Sequence, residues 1–124
     1  MTAPPLSAAD IAAMAEVLRI LAHESRLRLI DALLAGGEKS VGELEGLTGI
    51  GQPALSQQLG ILRKAELVNT RRAAKQVYYS IKPDAFVRVA RYLGRVAAKK
   101  PEAAASPQPA KAPGGSAAQF ARML

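Results

Sequence analysis

From Gln52 to Lys64 the chain reads QPALSQQLGILRK, a stretch with amide, hydroxyl and cationic side chains and no carboxylate. Gln can form paired hydrogen bonds with the edge of adenine and Arg with that of guanine, Ser serves either, and glycine lets a phosphate backbone approach. At about 100° per residue, Gln52, Pro53, Ser56, Gln57, Gly60, Arg63 and Lys64 fall on one arc of a helix. Ala54, Leu55, Gln58, Leu59, Ile61, Leu62 and Ala65 fall on the other, a core face. The polar arc lacks the Glu and Lys alternation of an ordinary solvated helix, and its chemistry suits base edges in a groove. Downstream, Arg71, Arg72 and Lys75 crowd one segment, where they could hold phosphates; phosphates fix position and base edges fix sequence.

Other chemistries lack their residues. Cysteine is absent, which excludes disulfides, thiolate metal sites and thiol switches. His23 is the only histidine and cannot bind a metal alone, so a structural or capping role is expected. Met1, Met14 and Met123 are too scattered for a ligand set. There is no nucleophile with a matching base, and TGIGQPA lacks the lysine of a phosphate-binding loop. No catalytic residue, metal or cofactor is expected. The opening MTAPPLSAAD has neither the basic start nor the apolar run of a secretory signal or membrane span, so a cytoplasmic protein without membrane contact is expected.

Helical spacing frames the polar face. Ser7 and Asp10 form a start signal, and Ile11, Met14, Leu18 and Leu21 define a first helix. After a break at residues 23–25, Leu27, Ile30, Leu33 and Leu34 mark a second, ended by Gly36 and Gly37. Ser40 can cap a short third helix through Val41, Leu44 and Leu47, closed by Gly49. The fourth begins near Gln52, with Pro53 in its first turn. Residues 67–72 and 76–81 are rich in strand formers and flank a turn at 73–75, which predicts a two-stranded hairpin. Tyr78 and Tyr79 alternate, one toward the core and one toward solvent or a ligand. Pro83 opens a last helix with the apolar stripe Phe86, Val89, Leu93 and Val96; Arg88, Arg91, Arg95 and Lys99 form a basic stripe beside it. A short helix, a Gly-containing turn, a longer helix with an acid-free face and then a basic hairpin is the winged helix-turn-helix order.

The chain has 124 residues and a net charge of +7, enough for one domain. Residues 1–62 carry 4 basic and 7 acidic side chains, and residues 63–124 carry 13 and 3. That asymmetry favours a polyanionic partner through counterion release. From Lys99 onward Ala, Pro, Gly and Ser dominate until Phe120, Met123 and Leu124. Such a segment cannot offset its ordering entropy and is expected to be mobile.

The run SVGELEGLTGIGQPALSQQLGILRKAELVNTRRAAKQVYYSI resembles the ArsR/SmtB family of winged-helix transcriptional repressors, and HESRLRLIDALL is similar to that family's second helix. The resemblance implies a homodimer joined by its first and last helices, with DNA contacts on Gln52, Ser56, Gln57, Arg71, Arg72 and Lys75. The wording is most similar to the branch of the BigR, SqrR and HlyU regulators, which share A-L-S-Q-x-L and V-Y-Y. The cysteine pair of the family's arsenic and cadmium sensors would fall on Ser40 and Gly42. The sensing cysteines of the sulfide-responsive branch would fall near Ala32 and Ala98. The His and carboxylate ligands of zinc and nickel sensors are also missing, since Asp84 is the only such side chain between Pro83 and Ala98.

The expected fold is therefore mainly α with a small β-hairpin, a winged helix-turn-helix spanning residues 7–98 between a flexible start (1–6) and a tail (99–124). The expected function is a sequence-specific repressor that binds an inverted-repeat operator on double-stranded DNA as a homodimer. The expected DNA-contacting set is Ser40, Gln52, Pro53, Ser56, Gln57, Gly60, Arg63, Lys64, Arg71, Arg72 and Lys75. The expected dimer stripe is Ile11, Met14, Leu18, Leu21, Phe86, Val89, Leu93 and Val96. A sequence-tolerant architectural DNA-binding protein is the alternative, and a protein-interaction module a third. Regulation is left open among constitutive binding, a small organic effector and partners of the tail.

Overall fold

The computed structural model describes residues 5–100; the expected mobile ends, 1–6 and 99–124, lie outside that span except for residues 5, 6, 99 and 100. The elements are α1 (Ala8–Leu21), α2 (Glu24–Leu34), β1 (Lys39–Ser40), α3 (Val41–Thr48), α4 (Ala54–Lys64), β2 (Val68–Ala73), β3 (Gln76–Ile81) and α5 (Asp84–Ala97). Contacts divide the chain into a compact unit, Met1–Gly94, and a second, Arg95–Leu124. The described part of the second holds the end of α5 and a bond from the Lys99 N–H to the Val96 carbonyl.

Local signals set the helix ends. The Ser7 hydroxyl accepts the Asp10 N–H at 3.0 Å and starts α1. Ser40 and Glu43 form a reciprocal capping box at the start of α3, and Gly49, at φ 75°, closes that helix in the left-handed region. His23 is the N-cap of α2, but its imidazole makes no capping bond. The break between the first two helices is shorter than expected, because Ser25 already lies within α2. Helix α4 starts at Ala54, two residues later than expected: Pro53 is its N-cap rather than a first-turn residue. At the other end Glu66 stands at φ 61°, where glycine is usual. Its N–H donates to Arg63 and that of Leu67 to Leu62, the double bond pattern of a Schellman cap.

The sheet has three strands in the order β1-β3-β2, not two. Lys39 and Ser40 pair with Tyr79 and Tyr78 on β3; two residues are too few to show a period-2 pattern. The turn is also tighter than expected. Ala73 pairs with Gln76, which leaves a two-residue loop with Ala74 at φ 56°.

The core gathers Ile20, Leu29, Leu33, Leu44, Ile50, Leu55, Leu59, Leu62, Leu67 and Val68. Helix α2 packs against α3, α4 and β3, and its inward face is only partly the expected one: Leu33 and the half-buried Ile30 face the core as expected. Leu29 and Leu33 are buried, whereas Leu27 and Leu34 are exposed. Five large apolar residues crowd this helix, so several rotations satisfy the spacing and packing selects one. Among the described residues, no buried polar side chain lacks a hydrogen-bond partner, as a well-formed core requires.

Candidate nucleic-acid interface

Helix α4 divides as its sequence predicts except at Ala54, which was expected on the core face and is exposed in the first turn. Leu55, Leu59 and Leu62 are fully buried, while Gln52, Pro53, Ser56, Gln57, Arg63 and Lys64 are exposed and Gly60 is half-buried. A Cβ built on Gly60 would meet nothing within 4 Å, so the backbone there faces open space. Near the start of the helix, the Gln52 Oε1 accepts from the Ser56 N–H at 3.2 Å and from its hydroxyl at 2.7 Å. These two side chains therefore cap the helix together, which leaves the Gln52 Nε2 as a donor and the Ser56 Oγ as an acceptor; Gln52 gives up the cap only to pair with a base through both amide atoms. Gln57 carries no such tie.

The sheet beside α4 separates the two arginines. Arg71 stands opposite Tyr78 in the β2–β3 ladder, and Arg72 opposite Val77, so period-2 alternation sends them to opposite faces. On one face Arg71 lies 5.2 Å from the Tyr78 ring centroid and donates from Nε and Nη2 to the Glu38 carboxylate, both at 2.8 Å. Those hydrogen bonds hold the Glu38 carboxyl below its ordinary range and raise Arg71 in turn. On the other face Thr70, Arg72, Val77 and Tyr79 look across a cleft of about 460 Å³ toward Ser56, Gly60 and Arg63 of α4. Arg63, Lys64, Arg72 and Lys75 make no ion pair among the described residues.

Two groups of expected residues change meaning. Ser40 is 7% exposed and its hydroxyl accepts the Glu43 N–H, so it is a helix cap inside the fold and leaves the DNA-facing set. Of the expected dimer stripe, Met14 and Val89 are already buried within the single chain, and Leu21 and Phe86 are half-buried against its core. The exposed part is Ile11, Leu18, Leu93 and Val96. Arg88 lies 3.6 Å from the Asp10 carboxylate, which ties that one member of the expected basic stripe to α1. Among the described residues no group of three potential metal ligands gathers, and no helix is long and apolar enough to cross a membrane.

Sequence reasoning missed Glu38. It sits in the loop before β1, and only the strand order β1-β3-β2 brings it within reach of Arg71. The alternation of strand side chains was a usable signal that Arg71 and Arg72 could not share one role.

The family described as bacterial regulatory protein, arsR family, matches residues 23–70. The biofilm growth-associated repressor of Agrobacterium fabrum is 53% identical over 76 residues, 61% of this chain and 64% of that protein. The chain thus spans less than two thirds of that relative. The nodulation protein NolR of Rhizobium meliloti is 40% identical over 86 residues, 69% of this chain and 70% of NolR. Among solved structures, the transcriptional repressor BigR from Xylella fastidiosa is similar with a TM-score of 0.54 and 45% identity, covering 69% of this chain and 86% of that one.

Proposed function

This chain belongs to the arsR family of bacterial regulatory proteins, and from that premise we propose that it is a cytoplasmic, homodimeric transcriptional repressor that reads an inverted-repeat operator. The observation that carries the proposal is the exposed, carboxylate-free face of α4 beside the Arg72 face of the β2–β3 ribbon. In this reading Gln57, with Ser56 and Gln52 beside it, meets base edges in the major groove. Arg63, Lys64, Arg72 and Lys75 hold phosphates, Pro53 and Gly60 admit the backbone closely, and Arg71 contributes only when Glu38 lets it go. The interface helices are α1 and α5. An apolar hollow of about 540 Å³, walled by residues such as Leu33, Ile81, Phe86 and Ala90, is of a size that takes a small organic effector.

The test is competition. A duplex selected from a randomised library by the wild-type protein should survive roughly a thousandfold excess of random duplex, and placed before a reporter it should lower transcription when the protein is present. Equal loss to random and selected duplex would instead establish the architectural alternative.

A further inference from the structure

The inner arc of α4 rests on leucines, and apolar contacts are non-directional. Burial of Leu55, Leu59 and Leu62 sets the rotation of the helix coarsely, and a directional polar bond is needed to fix it finely. One polar side chain interrupts that arc, Gln58, and it is half-buried. Its Oε1 accepts from Arg26 Nε at 2.8 Å, and Arg26 Nη1 donates to the Ile20 carbonyl at 3.0 Å. Among the described residues this is the one side-chain hydrogen bond between the body of α4 and another helix.

The Ile20 carbonyl belongs to the last turn of α1, where carbonyls have no helical partner. Ala22 N–H takes those of Leu18 and Arg19, and His23 N–H takes that of Leu21. The Ile20 carbonyl is left for Arg26. A single guanidinium in α2, with a planar fork of fixed geometry, thus ties the end of α1 to the inner side of α4.

We infer that Arg26 is a positioning residue: by holding Gln58 against the end of α1 it sets the fine rotation of α4, and so decides which base edges Gln57 and Ser56 can reach. The inference rests on the DNA-reading role proposed above. It separates two quantities that phosphate contacts mix. Loss of the Arg26–Gln58 bond leaves the count of phosphate contacts intact but turns the reading face, so discrimination falls and general affinity does not.

The measurement is the ratio of affinities for the wild-type-selected duplex and for random duplex, with the salt dependence of each. Gln58→Leu suits the surrounding leucines and removes the acceptor; Gln58→Glu keeps an acceptor for the guanidinium; Arg26→Lys loses the fork. The ratio should fall about tenfold in Gln58→Leu and in Arg26→Lys, the scale of one misread base pair, with the salt slope on random duplex unchanged. Gln58→Glu should stay near the wild type, and the double variant should fall no further than the worse single one. A ratio kept intact in Gln58→Leu, or lost equally in Gln58→Glu, overturns the inference while the DNA-reading role stands. A wild-type ratio near one overturns that role and the inference with it.

Discussion

Gly60 gives the sharpest test at the scale of single residues. It lies inside α4, where glycine costs about 0.5–1 kcal/mol relative to alanine, and a Cβ there would meet only open space. Gly60→Ala should therefore raise the thermal unfolding midpoint and yet weaken DNA binding, because the added methyl stands where a phosphate backbone has to approach. Unchanged affinity would remove Gly60 from the contact surface. Arg71 and Glu38 offer a second test. Glu38→Gln frees the positive charge of Arg71, so affinity for any duplex should rise and the salt slope steepen by up to about 1. The Glu38 pKa is depressed by the Arg71 hydrogen bonds. The stability from this pair is therefore present above the ordinary carboxylate range and lost as pH falls through the lowered folded value. Thermal melts of wild type and Glu38→Gln should differ at neutral pH and converge below that range.

At the scale of elements, capping and backbone conformation govern the frame around α4. Ser40 closes the capping box of α3, so Ser40→Ala should cost about 1 kcal/mol of stability, read from denaturant unfolding. It should leave the salt slope of DNA binding alone; a shallower slope would mean that Ser40 touches phosphate after all. Glu66 lies in the left-handed region after α4, a conformation that costs an ordinary L-residue roughly 1–2 kcal/mol. Its ion pair with Lys82 is exposed on the Glu66 side and worth little. Glu66→Gly should thus stabilise the protein, and a lower unfolding midpoint would show that the ion pair outweighs the backbone.

For the whole molecule the proposed two-fold assembly has consequences in both protein and DNA. The exposed apolar residues of α1 and α5 include Ile11, Leu18 and Leu93, and a charge among them should oppose association. Leu93→Glu should sediment as a monomer where the wild type sediments as a dimer, with operator affinity falling and the unfolding midpoint little changed. Two-fold symmetry also sets half-sites about 10 bp apart, or a small multiple of a helical turn. Inserting half a turn between them should abolish tight binding. Binding that tolerates the insertion would mean that the two reading helices are not rigidly joined.

Much of this was legible in the residues themselves. The order of helices, the caps at Ser7 and Ser40, the closing Gly49 and the two arcs of α4 depend on neighbours a few positions apart, and spacing along the chain records them. The inward face of α2 was only partly legible, since Leu27, Leu29, Ile30, Leu33 and Leu34 fit more than one rotation: Ile30 and Leu33 face the core, and Leu29 was missed. Nor was β1, which exists only because β3 supplies its partner. The pairings that assign roles are decided by the tertiary fold alone. Arg26 and Gln58 are 32 positions apart and Glu38 and Arg71 are 33 apart, and no local periodicity connects them. A hydrogen bond needs its two groups within about 3 Å, and only the packed chain brings such distant residues that close.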